Sequence, residues 1–153
     1  MQVADVMTRA RVAESPADSL RAAATLMWKQ QTGSLLVMDG DTLLGIVTER
    51  DVMKAVARGS DIDATPVSAV MTTSVITVTP ETSLPDAARH MATRWIRHLP
   101  VVGADGQVVG LISQRDLCAV LAALGSEADL LEIPADELVR SRRMARLEGK
   151  GPR

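Results

Sequence analysis

Apolar and polar positions follow one another along this chain in a set order that is run through twice. Leu20, Ala23, Ala24 and Met27 fall at i, i+3, i+4 and i+7, the stripe of a helix packed on one side. Leu84, Ala87, Ala88 and Met91 repeat the spacing with the same residue types. Ser83 with Asp86 three residues on, and Pro85 in the first turn, marks a helix start. Each helix pattern is followed by two short apolar runs rich in β-branched residues. They are SLLVM and TLLGIVT around the turn DGD, then HLPVVG and QVVGLIS around ADG. Both predict a β-hairpin. A second helix follows, RDVMKAVARG or RDLCAVLAALG, with Gly59 or Gly125 as its C-terminal cap. A short strand before each proline, in RVAES and VITVT, completes the order β-α-β-β-α.

The repetition extends to identity. Setting residues 3–36 on 67–100 gives eleven identical positions of 34, where unrelated segments share about two. VADVMT falls on VSAVMT, and Pro16, Ser19 and Leu20 fall on Pro80, Ser83 and Leu84. One residue inserted in the second hairpin turn then aligns Gly45, Arg50 and Asp51 with Gly110, Arg115 and Asp116. The repeated units are Val3–Ala57 and Val67–Ala122. The chain therefore divides into a first repeat (1–60), a linker (61–66), a second repeat (67–125) and a tail (126–153). One unit of this size buries little apolar surface alone. The expected fold is α/β in the α+β sense: two β-α-β-β-α units related by a pseudo-twofold axis, sheets face to face, forming one module.

Composition narrows the chemistry. Of 153 residues 46% are apolar, yet Phe and Tyr are absent and Trp28 and Trp95 stand alone, so the core is aliphatic. A net charge of −2 gives no reason to expect a polyanion partner for the whole chain. The single Cys118 and two histidines are too few for a structural zinc site, and one cysteine suits a reducing compartment. No apolar run approaches the roughly 20 residues of a membrane span, and MQVADVMTRA lacks the features of a signal peptide. A cytoplasmic location is expected. No activated nucleophile or acid–base pair is visible, so no enzymatic activity is expected.

The candidate chemistry lies where strand meets helix, in GIVTERD (45–51) and GLISQRD (110–116). Gly45 and Gly110 sit mid-strand, where a missing side chain marks close approach by a backbone or a ligand. Thr48 with Asp51, and Ser113 with Asp116, match the capping pattern of a helix start. Capping alone accounts for that spacing. A helix start at a strand end is also a seat for phosphate, and a carboxylate beside it can accept from both hydroxyls of a ribose. In the second unit Arg97 and His98 precede the strand beside the corner and suit phosphate oxygens. A solvated charge and a surface histidine are the plainer alternative. The matching residues of the first unit are Gly33 and Ser34, and Pro100 is matched by Leu36. An anionic ligand should therefore prefer the second corner.

Taken together, V-x-x-V-M-T, P-x-x-S-L-x-x-A-A-x-x-M, L-P-V-V and G-h-h-[TS]-x-x-D (h, apolar) resemble the cystathionine β-synthase (CBS) domain, a tandem pair of which forms a Bateman module. The resemblance covers 3–57 and 67–122. It implies a regulatory sensor with no obligatory cofactor, binding an adenosine-containing ligand: AMP, ADP or ATP, with S-adenosylmethionine or NADH as further options. It carries over to Thr48, Asp51, Ser113 and Asp116 as ribose and phosphate contacts, with Arg97 and His98 where members place phosphate-binding basic residues and Leu99 and Arg115 as further ligand contacts. The stretch Thr73–Val78 falls where the family often places adenine. A homodimer through the helices and a regulated protein partner are also implied.

The remaining features have plainer readings. Trp95 is expected to cover the core, Cys118 to pack as a small apolar group, and His90 to be a partly buried helix residue. The tail after Pro134 carries six basic residues against three acidic ones and predicts a terminal helix. Without interleaved aromatics, nucleic acid is not its expected partner. The rival reading is a scaffold whose clefts are empty and whose tail makes protein contacts.

Overall fold

The structure, a computed structural model, describes residues 1–9 and 12–124. The expected tail helix and the Gly125 cap lie outside the described residues. Among the described residues, five strands and four α-helices follow the expected order. The first unit holds β1 (Ala13–Glu14), α1 (Leu20–Gln30), β2 (Ser34–Asp39), β3 (Thr42–Thr48) and α2 (Glu49–Ala57). The second holds α3 (Leu84–Arg94), β4 (His98–Val102), β5 (Val108–Ser113) and α4 (Gln114–Leu124). Sheet order is β1-β2-β3 in one and β4-β5 in the other. Both hairpins carry a register irregularity at equivalent places, Val37/Met38 and Val101/Val102.

Local chemistry starts and stops these helices. Ser19 Oγ accepts from the Ala22 amide at 3.2 Å, and Ser83 Oγ from the Asp86 amide at 3.2 Å, satisfying donors that a helix start leaves free. Gly59 has φ +76° after the α2 cap, and the Ser60 amide reaches back to the Ala55 carbonyl at 3.0 Å, a left-handed glycine stop. α1 and α3 end differently. Their caps, Gln31 and Trp95, hold φ of 53° and 58° without being glycine, a conformation side chains adopt at a cost.

The expected first strand of the second unit is reduced to a single bridge, Val78 to Val101. Pro100 supplies the reason. In the first unit the Leu36 amide donates to the Val12 carbonyl at 3.2 Å, one of the bonds that hold β1 to β2. Pro100 occupies the Leu36 position and has no N–H to give.

The core is two clusters, each between a sheet and its own helices. One joins Leu20, Met27, Leu35, Val37 and Val47; the other Leu84, Met91, Leu99, Val101 and Ile112. Leu36 and Pro100 belong to neither cluster but are also buried. Each sheet is thus covered on both faces, as two units packed about a pseudo-twofold require. The linker is folded into this packing: the Leu20 and Arg21 amides donate to the Thr65 and Ile62 carbonyls, both at 3.0 Å.

The repeated VxxVMT segments change partners. Val3 is fully buried in the cluster of the second unit, with Val6 and Met7 against it. Val67 is fully buried in the cluster of the first, with Val70 and Met71. Thr8 exchanges backbone hydrogen bonds with Leu111 at 2.9 Å, and Thr72 with Ile46 at 2.9 and 3.0 Å. Each repeat completes the other. This explains the two mid-strand glycines. A Cβ on Gly45 would stand 2.8 Å from the Thr72 carbonyl, and one on Gly110 the same distance from the Thr8 carbonyl. What approaches is the backbone and the methionine side chain of the exchanged segment.

Three surface expectations need correction. Cys118 is exposed, as is its counterpart Met53, because α4 turns Leu117 inward and Cys118 is one position away. His90 is exposed for the same reason, preceding the buried Met91. Ala88 lies outside the buried stripe while Ala87 is buried.

Candidate functional site

At each corner a hairpin strand ends against a helix start, and pairing fixes what stands beside it. Thr48, the last residue of β3, pairs with Ser34; Ser113, the last of β5, pairs with His98. The capping expected from the spacing is present. The Thr48 amide and hydroxyl both donate to Asp51 Oδ2, at 2.8 and 2.9 Å. The Ser113 amide and hydroxyl both donate to Asp116 Oδ2, at 2.7 Å each. The Asp116 amide donates to Ser113 Oγ at 3.3 Å. One oxygen of each carboxylate is clamped. Among the described residues Oδ1 of each has no partner, so it remains an acceptor for hydroxyl groups.

The helix starts are less open than their position suggests. The first amide of α2, on Glu49, donates to the Gly33 carbonyl at 3.1 Å, and that of α4, on Gln114, to the Arg97 carbonyl at 2.8 Å. Residue 33 and its counterpart 97 thus do the same backbone work. Their side chains differ: Gly33 has none, and Arg97 extends an exposed guanidinium. Its Nη2 lies 3.6 Å from Glu49 Oε2, so the second unit reaches the helix start of the first.

His98 is half-buried and takes its field from this neighbourhood. Burial, first, and then the adjacent Arg97 depress its pKa below the ordinary histidine value; Glu49 and Asp116 pull it upward and Arg115 down again. A neutral ring is favoured, offering one N–H donor. Glu49, Arg97, His98, Arg115 and Asp116 thus form one electrostatic cluster drawn from both units. The first corner has Ser34 where the second has His98, and among the described residues the buried Ser34 hydroxyl has no partner.

A hollow of about 420 Å³ opens next to this cluster, lined among others by Trp28, Gly33, Glu49, Met53 and Arg115. Glu49 and Arg115 bring it to the edge of both corners. Another, of about 440 Å³, lies on the outer face of α1 at Ser19, Arg21 and Lys29. The other expected contacts are placed differently. Leu99 is fully buried in the core. Val78 is buried too, its amide and carbonyl bonded to Pro100 and Val102 at 3.0 and 2.8 Å. Thr73 is exposed on the loop before it. Glu49 was not among the expected contacts; its signal was its pairing with neutral Gln114 in the repeat alignment. Among the described residues no group of three or more His, Cys, Asp or Glu could hold a metal ion, and no helix is long and apolar enough to cross a membrane.

The family model of the CBS domain matches residues 3–58 and again 67–123. The chain belongs to the CBS domain family. The CBS domain-containing protein YhcV of Bacillus subtilis is 37% identical over 116 residues, covering 75% of this chain and 81% of that one. The CBS domain protein PAE2072 of Pyrobaculum aerophilum, solved complexed with AMP, superposes with a TM-score of 0.74 at 30% identity, over 82% of this chain and 99% of that one. The CBS domain pair of protein MJ0100, solved with 5′-methylthioadenosine and S-adenosyl-L-methionine, gives a TM-score of 0.74 at 25% identity, over 81% and 98%. The present chain shares with them the paired CBS architecture.

Proposed function

We propose that this CBS pair is a regulatory sensor that binds an adenosine-containing ligand at the second corner, AMP fitting best. The observation that carries the reading is the Asp116 carboxylate, clamped through Oδ2 with Oδ1 unpartnered among the described residues, beside Arg97 and His98. Oδ1 accepts from a ribose hydroxyl, Ser113 lies against the sugar, and Arg97 with neutral His98 donates to phosphate. The AMP complex of PAE2072 supports the ligand class. The first corner lacks both basic groups and binds the same ligand more weakly. Binding is read out through the relative position of the two units, provided the ligand prefers one arrangement.

Assembly is part of the proposal. Trp28, Met53, Val56 and Leu121 are exposed, with Cys118, on the outer helices, and a second copy covers that surface in a homodimer. A thermal-shift series with AMP, ADP, ATP, NADH and S-adenosylmethionine tests the sensor. A binder gains stability with ligand concentration, about 2.7 kcal/mol at a hundredfold excess over Kd. AMP should give such a gain, and Arg97→Ala should reduce it. A flat response across the series would overturn the sensor in favour of a scaffold acting through this apolar surface.

A further inference from the structure

We propose that Glu49, contributed by the first repeat, determines which ligand charge the second-repeat site accepts, by competing with the ligand for Arg97. The inference rests on the nucleotide reading above. Three observations converge on Glu49. Its Oε2 lies 3.6 Å from Arg97 Nη2, across the boundary between units. Its carboxylate lies against Gly33, where an added Cβ would stand 3.2 Å away; the absence of a side chain there leaves that space to Glu49. Its counterpart in the second unit is Gln114, which has the same shape and no charge. The duplication kept the backbone role of both residues and left the charge on one side only.

The physics follows from exposure. Both side chains are more than half exposed, Arg97 at 58% and Glu49 at 61%. A pair of this kind is worth about 0–1 kcal/mol, so an arriving phosphate can take the guanidinium from it. Glu49 then remains as a negative charge facing the bound anion. The cost grows with the ligand's own charge, smallest for a monophosphate and largest for a triphosphate. A ligand without phosphate meets no such cost. Glu49 thus biases the site toward monophosphates and uncharged nucleosides. Displacement also breaks a contact between the two units, which links occupancy to their relative position.

The test is calorimetric titration of the full chain and of Glu49→Gln with AMP, ATP and 5′-methylthioadenosine, without magnesium. Glu49→Gln should tighten AMP about threefold and ATP about tenfold, leaving 5′-methylthioadenosine within about twofold. The gain on ATP should shrink in 1 M salt, where the screening length falls to about 3 Å. Unchanged Kd values for AMP and ATP would overturn the proposal while leaving the nucleotide site standing. An equal change for all three ligands would also overturn it, because a structural effect of losing the carboxylate at the helix start acts on every ligand alike. Silence from both proteins with all three ligands would remove the nucleotide reading and this proposal together.

Discussion

At the first corner a glycine gives its carbonyl to the start of α2, and a glutamate lies against the glycine. At the second an arginine gives its carbonyl to the start of α4, and a neutral glutamine follows. The hydrogen bonds that build the two corners follow the same pattern, down to the shared acceptor oxygen on Asp51 and Asp116. What differs is charge: Gly33, Ser34 and Glu49 on one side, Arg97, His98 and Gln114 on the other. A duplicated scaffold keeps the residues its backbone needs. The side chains that the backbone does not need are free to diverge, and function can be assigned to one copy.

The comparison breaks most visibly at the glycines. Gly45→Ala and Gly110→Ala each drive a Cβ to within 2.8 Å of a backbone carbonyl, and each should cost about 1–3 kcal/mol in a denaturant titration. Gly33→Ala meets only the end of the Glu49 side chain, at 3.2 Å, and should change stability by less than about 0.5 kcal/mol. Equal losses at positions 33 and 45 would contradict the exchanged packing of the VxxVMT segments.

Asp51→Ala and Asp116→Ala sharpen the comparison next. Both remove a capping carboxylate, so both should lose about 0.5–2 kcal/mol of stability. Their ligand responses should part. Asp116→Ala should weaken AMP about tenfold or more by calorimetry, a change worth about 1.4 kcal/mol, and Asp51→Ala should leave the tighter binding phase in place. A larger loss from Asp51→Ala would move the site to the first corner.

The smallest expected effect is a pH dependence set by Glu14 in the first unit. Burial, and then a hydrogen bond to Asp18, raise the Glu14 pKa to about 7; that hydrogen bond holds Asp18 below its ordinary value. A carboxyl raised in the folded state stabilises fully below its unfolded pKa and loses that contribution as pH climbs through the folded value. For Glu14 the loss runs from about pH 4.5 to about 7. Asp18 acts oppositely, its contribution failing as pH falls below about 3.8. Melting temperature should drop between pH 6.5 and 8, above the ordinary histidine value, and Glu14→Gln should flatten the drop. The second unit has Val78 and Thr82 at these positions; its depressed His98 acts in the opposite sense, adding stability as pH rises toward about 6.5. A drop that survives in Glu14→Gln would assign it elsewhere.

Much of the fold was legible because it depends on short-range rules. The helix stripe from Leu20 to Met27, the serine caps at Ser19 and Ser83, and the glycine stop at Gly59 all follow from residues within a few positions of each other. The shortened strand at Val78 was equally available in Pro100, whose missing N–H is a property of one residue. The candidate site was legible in part. The capping partnership of Thr48 with Asp51, and of Ser113 with Asp116, follows from the three-residue spacing. Leu99 and the Thr73–Val78 stretch are expected as contacts only through the family resemblance, and the side chains of Leu99 and Val78 are buried in the cluster of the second unit. Cys118 and His90 each stand a single position from a buried residue of their helix, which is about 100° of rotation.

By itself the sequence determined the duplication, the order of elements in each unit and the chemistry available at each corner. These are written in identity and periodicity, which need no knowledge of distant contacts. Only the tertiary structure decided that each VxxVMT segment packs against the opposite repeat, that Gly45 and Gly110 make way for its backbone, and that Glu49 meets Arg97 across the boundary. Residues 49 and 97 are far apart in the chain, and no local rule relates them. Their meeting is set by how two aliphatic cores bury their remaining faces.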